Sequence, residues 1–347
     1  MNINKICFFS FIVITFLILF NSLVLESKTT NELNIYSGRK SFLIEPLINE
    51  FKKNNKEIKI NIITGKEDAF IERLKLEGVN TKADILLTTD VARLTRAKKN
   101  NLFRKVDSEI LEKNIPLKFR SKENDWFGLS VRSRPIIYSN ERVNVNKLNN
   151  YESLSDEIWK SKICMRSSNN VYNQSLISYM ILNLGEKKTE KWIRELVKNF
   201  SRKPSGGDRD QIRAIASGQC DITVANTYYL ANMLVSKNEK DRKAAKKVAV
   251  FWPNQNTFGA HINLSGAGII KYTKNYKNAV LFLEFLSSKI GQEIYTKKIN
   301  EYSIRNDVKP SKIVTKFGEF KAYDLNLEEI GKEINKSIKL SSKHGWR

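Results

Sequence analysis

Two adjacent phenols, Tyr228 and Tyr229, end the stretch Ala225-Asn226-Thr227-Tyr228-Tyr229, where a short apolar strand pattern passes into a helical one. Tyrosine pairs ordinarily bury their rings and wet their hydroxyls. A helix start adds another chemistry, because its unpaired N–H groups and its dipole favour negative charge and help a phenol of ordinary pKa ~10 to ionise beside a cation. A hard, highly charged cation suits such oxygens, and three phenolates would neutralise ferric iron without sulfur or reducing chemistry. Catalytic signatures do not occur. His261 and His344 are the only histidines, and the chain has no Gly-x-Ser-x-Gly elbow, phosphate loop or Gly-x-Gly-x-x-Gly. The chain therefore does not read as an enzyme, and His261 reads as a hydrogen-bonded structural histidine.

The elements that must position the phenols alternate. A strand pattern over 33–37 is followed by a helical one over 41–51 and by a half-buried strand over 57–63. Helix 67–77, buried strand 83–87 and helix 90–99 complete the first unit. This β-α order implies a mostly parallel sheet with helices on both faces and ligands at the carboxyl ends of the strands. The stretch 126–139 is strand-like but broken by Arg132, Arg134 and Pro135, and reads as a crossing to a second unit. There, strand 163–166, helices 172–184 and 190–200 and a turn at 204–208 precede helix 211–217, which Gly218 stops, and strand 221–225. A second crossing at 248–252, a strand over 262–270, one long helix over 276–299 and a polar helical end follow.

At 347 residues the chain exceeds what one core of ~250–300 residues sustains, so two lobes are expected. Both crossings are internal, which makes each lobe discontinuous: residues 33–130 plus about 251–300, and residues 131–250 plus about 301–347, the latter carrying the tyrosines. Residues 1–27, with Lys5 before an apolar run over 6–20, read as an export signal. The extension Leu23-Val24-Leu25 and the lack of a small-x-small site leave an uncleaved anchor open. Cys164 and Cys220 sit at the starts of strand-like runs. The sequence leaves open whether they are buried thiols or, in an exported protein, a disulfide. The net charge of +23 is spread over most helices. Its densest stretch, 237–247, is interrupted by Glu239 and Asp241, so the charge reads as a solvated surface rather than a nucleic-acid or membrane footprint.

The mature chain resembles, almost from end to end, the periplasmic ferric-iron-binding proteins of ABC importers, above all their cyanobacterial-type branch. The stretches that carry this are Tyr36-Ser37-Gly38-Arg39, Ala83-Asp84-Ile85-Leu86-Leu87-Thr88, Arg166-Ser167-Ser168-Asn169, Tyr172-Asn173-Gln174-Ser175-Leu176, the Tyr228-Tyr229 stretch and Trp252-Pro253-Asn254-Gln255. The resemblance implies a class II periplasmic-binding-protein fold of two α/β lobes that close on Fe³⁺ and deliver it to an inner-membrane permease. It also implies a periplasmic location, a monomer, no nucleic acid, and Tyr172, Tyr228 and Tyr229 as the iron ligands. One departure matters: many relatives carry His-Tyr where this chain has Lys40-Ser41, so a first-lobe ligand is missing. As in family members that bind iron with three tyrosines, carbonate, bicarbonate or water is then expected to complete the coordination, with Arg39, Arg132 and Lys40 as candidate partners of such an anion. The same departure keeps open a scaffold turned to a small anion or a complexed metal.

Overall fold

The computed structural model describes residues 31–347; the export segment 1–27 lies outside the described residues. Strands β1 (Glu32–Ser37), β2 (Lys59–Thr64) and β3 (Ile85–Thr88) alternate with helices α1 (Ser41–Asn54), α2 (Glu67–Glu77) and α3 (Val91–Lys99), and a short α4 (Glu109–Asn114) follows. Strand β4 (Phe127–Ser133) ends the first unit and β5 (Ile136–Ser139) begins the second. The second unit continues through α5 (Val171–Leu184), α6 (Glu186–Lys198), α7 (Asp208–Ala216), β6 (Ile222–Val224), α8 (Thr227–Leu234), α9 (Glu239–Lys246) and β7 (Val248–Phe251). After β8 (Ile262–Ile269) come α10 (Tyr276–Ser287), α11 (Lys289–Ile299), α12 (Lys312–Thr315), α13 (Glu328–Lys332) and α14 (Ile334–Lys343).

A five-stranded sheet has the order β2-β1-β3-β8-β4, and a three-stranded sheet has the order β6-β5-β7. The chain leaves the larger sheet between Ser133 and Ile136 and returns between Phe251 and Ile262, so two adjacent crossings join the sheets. The larger sheet is mixed, not mostly parallel: β2, β1 and β3 run parallel, but β8 lies antiparallel to both β3 and β4. A strand that arrives from the other sheet has no helical crossover to return it to the starting edge, so it enters in the opposite direction. Every residue of β3, β4 and β8 is buried, as expected where helices cover both faces. Gly266 lets β8 approach β4 closely, since a Cβ there would lie 2.5 Å from the Phe127 carbonyl oxygen.

Two other expectations are corrected. The stretch 163–166 forms only an isolated bridge, at Ile163, to Phe200 and Ile222; beyond it, Arg166 turns toward Asp208, at 2.9 Å. The single helix over 276–299 is two helices, broken where Ser288 takes an extended backbone and its Oγ accepts from the Gly291 N–H at 3.2 Å, since a side-chain cap satisfies donors that a continuing helix would leave to the backbone. Cys164 and Cys220 are joined by a disulfide, their Cα atoms 5.7 Å apart.

Buried Asp90 ties the two halves together. As the α3 N-cap it accepts from the Ala92 N–H, while Ser175 of α5 and Asn263 of β8 also donate to its carboxylate, at 2.7 and 2.9 Å. Helix α13 packs on both α3 and α5, and the fully buried Trp346 donates from Nε1 to the Arg166 carbonyl at 3.0 Å. No helix among the described residues is long and apolar enough to cross a membrane.

Candidate functional site

Two helix starts carry the phenols. Asn170 caps α5 by accepting the Tyr172 N–H at 3.0 Å, and Asn226 precedes α8, whose second and third residues are Tyr228 and Tyr229. The Tyr228 and Tyr229 ring centroids are 4.2 Å apart with planes tilted by 31°. All three phenols line one cavity of about 320 Å³. Its opposite wall comes from the loops after β1, β2 and β3, represented by Gly38, Lys40, Glu67 and Thr89.

Positive charge gathers behind Tyr172. The guanidinium carbons of Arg132, Arg166 and Arg134 lie 4.9, 5.4 and 5.9 Å from its ring centroid. Buried Asp208, the first residue of α7, accepts from Arg134 at 2.7 Å, Arg166 at 2.9 Å and the Asn226 N–H at 2.8 Å. One carboxylate thus fixes two arginines and the loop that leads into the tyrosine pair. Burial alone would raise its pKa, but Arg134 and Arg166 outweigh that and hold it below the usual carboxylate range.

The anion candidates separate. Arg39 lines the cavity, but its fork is closed on Glu301 at 3.1 and 3.2 Å, and Nη1 also donates to Ser265 Oγ at 2.6 Å. Arg132 sits behind the cavity wall, donating to Ser265 Oγ at 2.8 Å and to the Leu264 carbonyl at 3.0 Å. Among the described residues, no carboxylate comes within ion-pair distance of buried Arg132, nor of Lys40, which lies exposed on the cavity wall.

Burial first pushes the Tyr228 and Tyr229 hydroxyls above the ordinary phenol range; Tyr172 and Tyr229 add to it at Tyr228 against Arg132, and Tyr172 and Asp208 add to it at Tyr229 against Arg166. Both are therefore neutral near pH 7 in this structure. Among the described residues, no group of three or more His, Cys, Asp or Glu side chains could hold an ion. His261 is structural in burial, yet its Nδ1 has no hydrogen-bond partner; its ring packs on Tyr179 at 5.3 Å. Burial, then the charges of Arg134 and Arg132, push its pKa down to about 3.

Sequence reasoning missed Asp208, Glu67, Thr89, Arg209 and Glu301. Position at the carboxyl ends of the parallel strands could have flagged Glu67 and Thr89, whereas the Arg39–Glu301 pair spans 262 residues and leaves no local trace.

A model of the bacterial extracellular solute-binding protein family matches residues 80–316. The chain is 41% identical over 316 residues to iron uptake protein A1 of Synechocystis sp., an alignment covering 91% of this chain and 88% of that protein. A solved Trichodesmium structure, IdiA or FutA in complex with iron and citrate ligands, superposes with a TM-score of 0.87 at 40% identity, covering 91% of this chain and 100% of that one. The ferric binding protein from Campylobacter jejuni superposes with a TM-score of 0.87 at 37% identity over the same shares.

Proposed function

The chain belongs to the bacterial extracellular solute-binding protein family and has a class II periplasmic-binding fold, and from that premise we propose that it captures ferric iron through Tyr172, Tyr228 and Tyr229 and hands it to an ABC permease. The observation that carries this is the convergence of three phenols, from the starts of two helices, on one cavity with arginines behind them. Each phenol gives up its proton as it binds the metal, so three phenolates neutralise a trivalent ion. The lobes are the larger sheet with its helices and the smaller sheet with the tyrosines; they close by hinge motion at the β4–β5 and β7–β8 crossings. The protein works in the periplasm after export.

Carbonate or bicarbonate fills coordination positions that the phenolates leave. Arg132 and Lys40, neither of which forms an ion pair with a carboxylate among the described residues, supply the countercharge, and Arg39 contributes mainly by holding Glu301. The surplus of cations also favours a second reading, in which the scaffold takes a small anion or an already complexed metal.

Ferric loading read by colour decides between them. Tyrosinate-to-iron charge transfer is expected in the wild type and weakened in Tyr229→Phe. A colourless wild-type protein after loading with ferric citrate would remove the iron assignment, and equal colour in both proteins would remove Tyr229 from the site.

A further inference from the structure

Glu67 is the one carboxylate lining the tyrosine cavity among the described residues, and it belongs to the wall opposite the phenols. It opens α2 at the carboxyl end of β2, beside the ends of β1 and β3, where a parallel sheet presents its ligand-binding loops. Its position is built. Thr89 Oγ donates to its Oε1, and Arg93 Nη1 stands 3.5 Å from the same oxygen. Oε2 has no protein partner among the described residues, and it is not among the buried atoms left unsatisfied. Gly38 makes room for this arrangement, because a Cβ there would fall 1.9 Å from Glu67 Cγ and a larger residue would force the Glu67 side chain to shift.

We propose that Glu67 is a fourth protein ligand to the ferric ion, contributed across the cleft when the lobes close. This rests on the ferric reading of the cavity and adds to it the first-lobe oxygen that Lys40 and Ser41 cannot supply. A carboxylate is a hard anionic donor suited to ferric iron, and one whose second oxygen is held by a hydroxyl is oriented as metal-ligating carboxylates commonly are. Charge balance allows it. Three phenolates and a carboxylate around Fe³⁺ leave one net negative charge, which the cations without carboxylate partners, Arg132, Lys40 and Arg209, are placed to balance. A ligand on each wall also makes the metal itself the bolt between the lobes, with the anion as an accessory.

The test compares wild type, Glu67→Gln and Asp68→Asn, loaded with ferric nitrilotriacetate and challenged with excess EDTA, with and without bicarbonate. Asp68 is the adjacent carboxylate; it pairs with Arg93 and Arg96 and does not line the tyrosine cavity. All three proteins are expected to colour, which also reports that each folds with its phenols in place. Glu67→Gln should release iron about tenfold faster or more, its charge-transfer band should move to longer wavelength as the iron loses an anionic donor, and its retention should come to depend on bicarbonate. Asp68→Asn should match wild type in all three readouts. Release within twofold of wild type with an unmoved band overturns the ligand assignment, as does equal acceleration in Asp68→Asn, which would trace the effect to Arg93. A colourless wild type is a different failure: it removes the ferric reading, and this proposal with it.

Discussion

Iron capture should release at least two protons, and the affinity should fall steeply with acid. Tyr228 and Tyr229 are both held above the ordinary phenol range, Tyr228 by burial first and then by Tyr172 and Tyr229, Tyr229 by burial first and then by Tyr172 and Asp208, so between pH 6 and 8 both carry their protons in the empty cavity. Metal ligation requires phenolates, so those protons must leave. Two protons released mean that log K rises by about 2 per pH unit, worth about 2.7 kcal/mol at 1.36 kcal/mol per tenfold. From pH 7.5 to 6.0 the affinity should drop about a thousandfold, or ~4 kcal/mol. Calorimetry of ferric nitrilotriacetate binding in two buffers of different ionisation enthalpy counts the protons directly, and chelator competition across the same pH range measures the slope. Release of one proton or none, with a slope below 1, would refute ligation by both adjacent phenols. The sign is fixed by the direction of the shift: groups whose pKa is raised in the empty protein make binding stronger as pH rises.

Asp208→Asn should destabilise the protein by about 3–5 kcal/mol in urea unfolding, because Arg134 and Arg166 lose their shared buried carboxylate. Its pKa lies below the usual range, so its contribution is complete above the unfolded-state value and is lost as pH falls through the folded one; the two proteins should converge in stability only in strong acid. Opening the Cys164–Cys220 disulfide, which closes a separation of 56 residues, should lower the unfolding free energy by up to about 4 kcal/mol while the loaded protein keeps its colour. Trp346→Ala removes a fully buried indole that braces the Arg166 carbonyl and should cost about 3–5 kcal/mol by the same denaturant assay.

The β-α run of the first unit was legible because its apolar residues repeat with periods of two and 3.6 over short, well-bounded segments. Strand direction was not. Nothing in the residues of β8 says that the chain approaches from the other sheet, and the mixed pairing follows from that path alone. The break at Ser288 was missed because no Pro or Gly precedes it, and a serine cap looks like an ordinary helical residue until its Oγ finds the Gly291 N–H.

The site divides along the same line. Tyr228 and Tyr229 stood out as neighbours at a strand-to-helix junction, whereas Tyr172, alone in an apolar helix pattern, became a candidate only through family resemblance. For the charged residues, type was visible and partner was not. Arg39 and Arg132 look alike in the sequence, yet Glu301 closes the fork of Arg39 and leaves Arg132 with neutral acceptors. A guanidinium already paired in a dry interior has little to offer an incoming anion, while one held only by a hydroxyl and a carbonyl keeps its charge available. The electrostatics of this cleft is therefore set by which carboxylate the fold delivers to which arginine, over separations of 74 residues for Arg134 and Asp208 and 262 for Arg39 and Glu301. Those pairings leave Glu67 as the one carboxylate on the cavity wall among the described residues, in a cavity it shares with the three phenols.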